Sequence, residues 1–291
     1  MKTLENNISY KIYSNGEEFI KENHAYLNAT LQTSIEASFF LLNAQNYHEL
    51  NRNNYALQFK KEDEILLILK LEPFNMLLFG SKNLCDFAAN RIADLNLAVE
   101  NVLGEEECTT YFLKCYQNRF KGDIVLQHSM QIMILSKQIY TPSALVFQCG
   151  SKDLKELAVC YCSFKKEALS EELEFSVALE LLKGKEHTYY AIKDQGKIVS
   201  IAAKARNSDS ICAISNVFTM PEYRKKGYAK QVVSKLAKDI LDEGKKPYLY
   251  VDSTNPISNH LYLNLGFTYL PRHQIQYHYQ PKTIKKAIFA G

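Results

Sequence analysis

The residues best suited to chemistry lie in one run, Ile211 to Ala229, ICAISNVFTMPEYRKKGYA. Arg224, Lys225 and Lys226 are consecutive cations, and Gly227, Tyr228 and Ala229 follow them. Val232, Val233, Leu236, Ile240 and Leu241 then recur at helical spacing. The order is apolar strand, cationic loop, helix N-terminus. The first turn of a helix has N–H groups without intrahelical partners, and the helix dipole adds roughly half a positive charge there. Gly227 opens backbone conformations closed to other residues and lets a ligand come close. Such an arrangement is a seat for a pyrophosphate. The plainer alternative is a solvated basic loop.

A second stretch, VDSTNPISNHLYLNLGF, ends in Phe267. Tyr262 within it carries a phenol whose reference pKa near 10 leaves it protonated at neutral pH, able to give a proton to a departing anion. Asn255 stands before Pro256, where it also suits a turn. Asp252, at a strand end, could orient a water, and Asn216, on the face opposite Val217, could line a pocket. Glu222 and His260 are weaker candidates for a general base, both expected at the surface.

The elements that must position these groups can be read in order. Strands are expected at about 145–149, 187–193, 197–206, 211–219 and 248–252, with final strands at 267–270 and 274–279. Asp194-Gln195-Gly196 is a hairpin signal. Helices are expected at about 153–159, 229–242 and 255–264. Another, capped by Ser170 with Glu171 and Glu172 in its first turn, should run to Lys183. Cys160 and Cys162 fall in a helix-to-strand region, where they would share one face.

Arg224-x-x-Gly227-x-Ala229 resembles the acyl-CoA loop of the GCN5-related N-acetyltransferase (GNAT) superfamily, and Val217, Pro221 and Arg224 match the approach to it. Asn255 and Tyr262-x-x-Leu265-Gly266-Phe267 match a second block of that family. The motif-bearing match covers 211–267, and the order of elements extends it to about 150–280. The resemblance implies an α/β fold, a mixed, mostly antiparallel sheet with splayed central strands flanked by helices. It implies acetyl-CoA as acyl donor, held by Arg224, Lys225, Lys226, Gly227, Tyr228 and Ala229. Main-chain groups of Val217, Phe218 and Thr219 would meet the pantetheine arm, with Asn255 touching it and Tyr262 as catalytic acid. The implied reaction is N-acetyl transfer to a primary amine of a small or amino-acid-like acceptor, by direct attack in a ternary complex, without a metal. Two rivals remain at this stage: aminoacyl or peptidyl transfer by a tandem GNAT-like fold, and a CoA-binding regulatory module without turnover.

Composition narrows the classes. At 291 residues the chain has room for two domains, and 46% hydrophobic with 23% charged residues is ordinary for a globular protein. A net charge of +3 does not favour a nucleic-acid partner. No apolar run is long enough to span a membrane, and no apolar signal core opens the chain, so a cytoplasmic location is expected. A homodimer is one possible assembly. Seven cysteines, with no C-x-x-C pair, read as ordinary buried thiols.

The first half echoes the second. Helices are expected at 15–29 and 32–50, strands at 55–59, 65–71, 76–79 and 99–103, helices to about 97 and at 105–119, and strands within 123–134. Residues 1–140 therefore read as a degenerate GNAT-like copy or a substrate-recognition domain, and 141–291 as the catalytic domain. In the copy, Gly80-Ser81-Lys82-Asn83 stands where the cationic loop stands later.

Overall fold

The computed structural model describes residues 2–4, 7–30, 35, 37, 38, 40, 43–137, 140, 141, 144–184 and 188–281. The chain forms two compact units, one of residues 1–131 with 271–291, the other of residues 132–270.

Unit 1 contains β1 (Lys2–Leu4), β2 (Ile8–Tyr13), α1 (Gly16–Leu27), β3 (Tyr55–Lys61), β4 (Glu64–Lys70), β5 (Met76–Gly80), α2 (Cys85–Asp94), β6 (Asn101–Glu105) and α3 (Glu106–Arg119). The strand β7 (Gly122–Ile134) leads out of it. Strands β2 to β5 pair antiparallel in sequence order, and β5 then pairs in parallel with β6. Alternation along the strands sends Tyr55, Leu57, Phe59, Leu66 and Ile68 to the face covered by α2 and α3. Ala56, Leu67 and Leu69 go to the other face, with Phe19 and Leu27 of α1. The expected second helix near 32–50 falls partly outside the described residues; Ile35, Ala37, Ser38, Phe40, Asn43 and Ala44 are helical.

Unit 2 repeats this order with β8 (Phe147–Gln148), α4 (Leu154–Leu169), α5 (Phe175–Lys183), β9 (Thr188–Asp194), β10 (Lys197–Asn207), β11 (Ile211–Thr219), α6 (Tyr228–Asp242), β12 (Lys246–Asp252) and α7 (Pro256–Asn264), and β13 (Thr268–Pro281) starts in unit 2 and runs on into unit 1. Strands β8 to β11 pair antiparallel, and β11 pairs in parallel with β12. The hairpin at Gln195-Gly196 has both residues at positive φ, 49° and 79°, the twist a two-residue turn needs. Helix α6 buries Val232, Val233, Leu236 and Ile240 against Ile214, Leu249 and Val251. Each such side chain contributes about 1.5–3 kcal/mol of burial. On the opposite face α4 packs Leu157 and Cys160 against Ile198, Ile201 and Phe218.

Three expectations change. Helix α4 runs on to Leu169, so Cys160 and Cys162 are helical rather than near a strand. Ser170, expected to cap the following helix, instead ends α4 in the left-handed conformation, φ 55°, and α5 starts only at Phe175. Ser170 to Glu174 carry three acidic groups and no apolar residue but Leu173, so nothing there anchors a helical turn to the core. The two final strands are one, β13, and its residues Gln274 to His278 pair antiparallel with Glu105 to Asn101 of β6. That pairing joins the described residues from 271 onward to unit 1. Residues 282–291, expected as an irregular tail, lie outside the described residues. Among the described residues no helix is long and apolar enough to cross a membrane.

Candidate functional site

The site begins where two strands part. β11 and β12 pair only at Ile211–Lys246, Cys212–Pro247 and Ala213–Tyr248, although each continues for several residues. On its other side β11 carries a bulge, because Ile201 faces Phe218 and Ala203 faces Ser215, leaving Asn216 and Val217 together opposite Ala202. Asn216 takes the left-handed conformation at φ 50°, which Asn tolerates better than most residues. Its side-chain amide donates to the Tyr189 hydroxyl at 2.7 Å, on the face opposite Val217, which packs toward α6. The bulge re-aims the main chain of β11 at the point where its ladder to β12 has ended.

Past the strand, Met220-Pro221-Glu222-Tyr223 makes one tight turn, and Arg224 to Gly227 form an exposed loop. Lys225 is left-handed at φ 63° and Gly227 at φ 80°. Gly227 is the N-cap of α6 and has no side-chain oxygen to satisfy the first turn. The N–H groups of Tyr228, Ala229 and Lys230 therefore open into the loop, and a Cβ on Gly227 would meet nothing within 4 Å.

The loop cations are not equally free. Arg224 Nη2 pairs with Glu167 Oε2 at 2.6 Å, its Nε donates to the Thr219 carbonyl at 3.0 Å, and its guanidinium lies 5.5 Å from the Phe218 ring. Lys226 lies 3.8 Å from Asp194 Oδ2 and 5.1 Å over the Tyr223 ring. Tyr228 donates to the same Asp194 oxygen at 2.8 Å, which raises its pKa. Buried Ser200 holds the end of β11, with Oγ donating to the Phe218 carbonyl at 3.0 Å and sharing a 2.8 Å bond with Thr219 Oγ1.

On the far side of the gap, Asn255 is the N-cap of α7, its Oδ1 accepting from the N–H groups of Ile257 and Ser258 at 3.2 and 3.3 Å. Asp252 Oδ1 accepts from the N–H and hydroxyl of Thr254 at 2.8 and 2.7 Å. Both bonds use Oδ1 and hold the turn. Tyr262 is 7% exposed, packs edge-on against Phe267 with centroids 5.8 Å apart, and has its pKa raised by burial. Glu222 and His260 are exposed. Among the described residues no three His, Cys, Asp or Glu side chains converge as a metal site.

The family model described as FR47-like protein matches residues 189–275. A GNAT-family acetyltransferase from Colwellia psychrerythraea has the same fold at TM-score 0.62 and 12% identity, over 94% of this chain and 100% of that one. A GCN5-related N-acetyltransferase from Sphaerobacter thermophilus aligns at TM-score 0.57 and 13% identity, over 94% and 96%. A Drosophila protein aligns at 0.60 and 11%, over 92% and 98%. No curated protein matches the sequence.

The chain has the fold of these GNAT-family structures.

Within that fold the motif residues fall on two sides of one gap, the loop and bulge on β11 and α6, and Asn255 and Tyr262 on α7. Sequence reading missed Glu167, Asp194, Ser200 and Tyr189. Glu167 and Asp194 lie 57 and 34 residues from the side chains they hold, so no local spacing links them. Ser200 had a signal: a lone hydroxyl among Ile198, Val199, Ile201 and Ala202 in a buried strand must find a partner.

Proposed function

We propose that the protein is an acetyl-CoA-dependent N-acetyltransferase, transferring an acetyl group to the primary amine of a small or amino-acid-like acceptor in a ternary complex. The observation that carries this is the uncapped N-terminus of α6, opened by left-handed Gly227 and preceded by three cations, beside the end of the β11–β12 pairing. Acetyl-CoA supplies a thioester whose acetyl carbon passes to nitrogen as its sulfur leaves. The first-turn N–H groups of α6, with Lys225 and Lys226, would hold its diphosphate. The released edge of β11 from Ile214 would pair with the amide-bearing arm as an added strand. A main-chain N–H at the bulge would meet the thioester carbonyl, where charge develops. Tyr262, kept protonated by burial, would donate a hydrogen bond to the leaving sulfur.

The remaining motif residues take supporting parts. Asn255 orders the start of α7, and its Nδ2 stays available to the arm because only Oδ1 is used in the cap. Asp252 holds its turn through Oδ1, and Asn216, bonded to Tyr189, would line the acceptor pocket. The test is release of free CoA thiol from acetyl-CoA across a panel of primary amines, with binding of acetyl-CoA measured separately by calorimetry. Amine-dependent thiol release supports the reading. Absence of acetyl-CoA binding refutes it.

A further inference from the structure

Unit 1 carries three thiols on the two helices that cover one face of its sheet. Cys85 is the first residue of α2, Cys108 is the third of α3, and Cys115 lies two turns further along α3. All three are buried, in the same core as Leu84, Ala88 and Phe112. Cys85 Sγ and Cys108 Sγ are 3.2 Å apart, although the residues are 23 positions apart in sequence. Bringing two sulfurs from that separation to a bond of about 2.05 Å takes a movement of about 1 Å. Cys115 is no rival partner for Cys108. Residues seven apart on one helix are separated by about 10 Å, and a disulfide needs Cα atoms within about 7 Å.

The two sulfurs differ in access. Cys108 lines a cleft of about 400 Å³ at the end of β5, and Cys85 does not. Cys85 is fully buried, and its thiol is held protonated, first by its hydrogen bond to Cys108 and then by burial. Its sulfur also lies 3.5 Å from the Cys108 carbonyl and 3.9 Å from the Ser81 carbonyl, both able to accept from it. A reagent entering the cleft therefore meets Cys108 first, with Cys85 behind it. Asp63, Glu64, Glu105 and Glu107 also line the cleft, against Lys82, so an uncharged reagent enters more readily than an anion.

We infer that Cys85 and Cys108 form a reversible disulfide site, oxidised by a small uncharged disulfide that enters the cleft at the end of β5. Cys108 loses its proton to water, and its thiolate attacks one sulfur of the reagent. A mixed disulfide forms on Cys108, and the first reagent thiolate leaves and takes a proton from water. Cys85 Sγ then attacks Cys108 Sγ, the mixed bond breaks, and the second reagent thiolate leaves with the Cys85 proton. Two cysteine thiols are oxidised and one disulfide is reduced to two thiols, with no other reactant. The new bond ties the first turn of α2 to that of α3 and closes a loop of chain that contains β6. The inference stands apart from the transferase reading, since all its residues belong to unit 1.

The test incubates the reduced full chain with 2-hydroxyethyl disulfide, blocks the remaining thiols with iodoacetamide and maps unreduced peptides by mass spectrometry. The expected product is a Cys85 peptide linked to a Cys108 peptide, two hydrogens lighter than the separate pair and parted again by dithiothreitol. Cys85→Ser should stop at the mixed disulfide on Cys108, and Cys108→Ser should slow modification of Cys85 at least about tenfold. Thermal melts confirm that the variants fold; if one does not, the wild-type peptide map decides. The inference is overturned if the two cysteines stay unlinked, if either links to another cysteine instead, or if the link forms only in denaturant. It is also overturned if Cys85 in Cys108→Ser reacts as fast as Cys108 in Cys85→Ser. The map needs no acetyl-CoA, and acetyl-CoA binding should be equal in the reduced and oxidised chains, so failure here is distinct from failure of the transferase reading.

Discussion

Replacing Gly227 with Ala isolates one property of the loop. Gly227 sits at φ 80°, and a Cβ built there touches nothing within 4 Å, so the substitution adds no clash. What it adds is the cost of a left-handed L-residue, about 1–2 kcal/mol. In the free protein the exposed loop can shed part of that strain by relaxing. Bound to a diphosphate it cannot, because the N–H groups must converge on the anion. The strain therefore falls on binding, and the dissociation constant for acetyl-CoA should rise about 5- to 30-fold. Calorimetry on wild type and Gly227→Ala measures this, with thermal melts of the unliganded proteins alongside. Gly227→Asn should fall between the two, since Asn tolerates the left-handed region. Equal affinity in Gly227→Ala, or Asn binding more weakly than Ala, would refute the argument that backbone conformation at this residue shapes the seat.

Other outcomes are expected from the same geometry. Glu167→Gln removes the exposed ion pair that occupies Arg224, about 0.2–1 kcal/mol, so acetyl-CoA should bind up to about fivefold more tightly; weaker binding would mean that Glu167 positions Arg224 rather than competing for it. Tyr262→Phe should lower turnover roughly 100-fold with acetyl-CoA affinity unchanged. Because burial raises the Tyr262 pKa, no activity loss below about pH 10 should trace to it in a pH profile comparing the two proteins. Asp153 accepts from the Gly150 N–H at 3.1 Å and pairs with Lys193 at 3.3 Å, and these lower its pKa from 3.8. Its contribution is full above that unfolded value and is lost as pH falls through the lower folded one. Asp153→Asn should therefore cost about 1 kcal/mol at pH 7 in denaturant melts, a deficit that begins to shrink as pH falls below about 3.8 and vanishes only below the lower folded pKa.

The parts of the fold that sequence made legible are those where one signal acts alone. Alternation in β3, β4, β9 and β10 and the apolar stripe of α6 each follow from a single periodic face, and the hairpin at Gln195-Gly196 from residues that accept positive φ. Ser170 misled because Ser with two following acids is as good a local helix start as any, yet the helix forms only where Ala178 is buried and Leu182 packs against the core. At the site, the glycine, the loop and the two motif blocks were readable. The bulge at Asn216–Val217 was not, since it depends on the register that Ile201 and Ala203 impose from the neighbouring strand. The ion pairs that engage Arg224 and Lys226 were hidden for the same reason, both acids lying on other elements.

The return of β13 to β6 has a consequence for how the chain comes to its native state. His278 bonds to Asn101 across 177 residues of sequence, and Gln274 to His278 are among the last described residues of the chain. During synthesis one side of β6 stays bare until residues 274–278 have left the ribosome. A truncation at residue 270 would leave that side bare for good, an invitation to sticky edge-to-edge association even though most of the first half's own core residues would still be present.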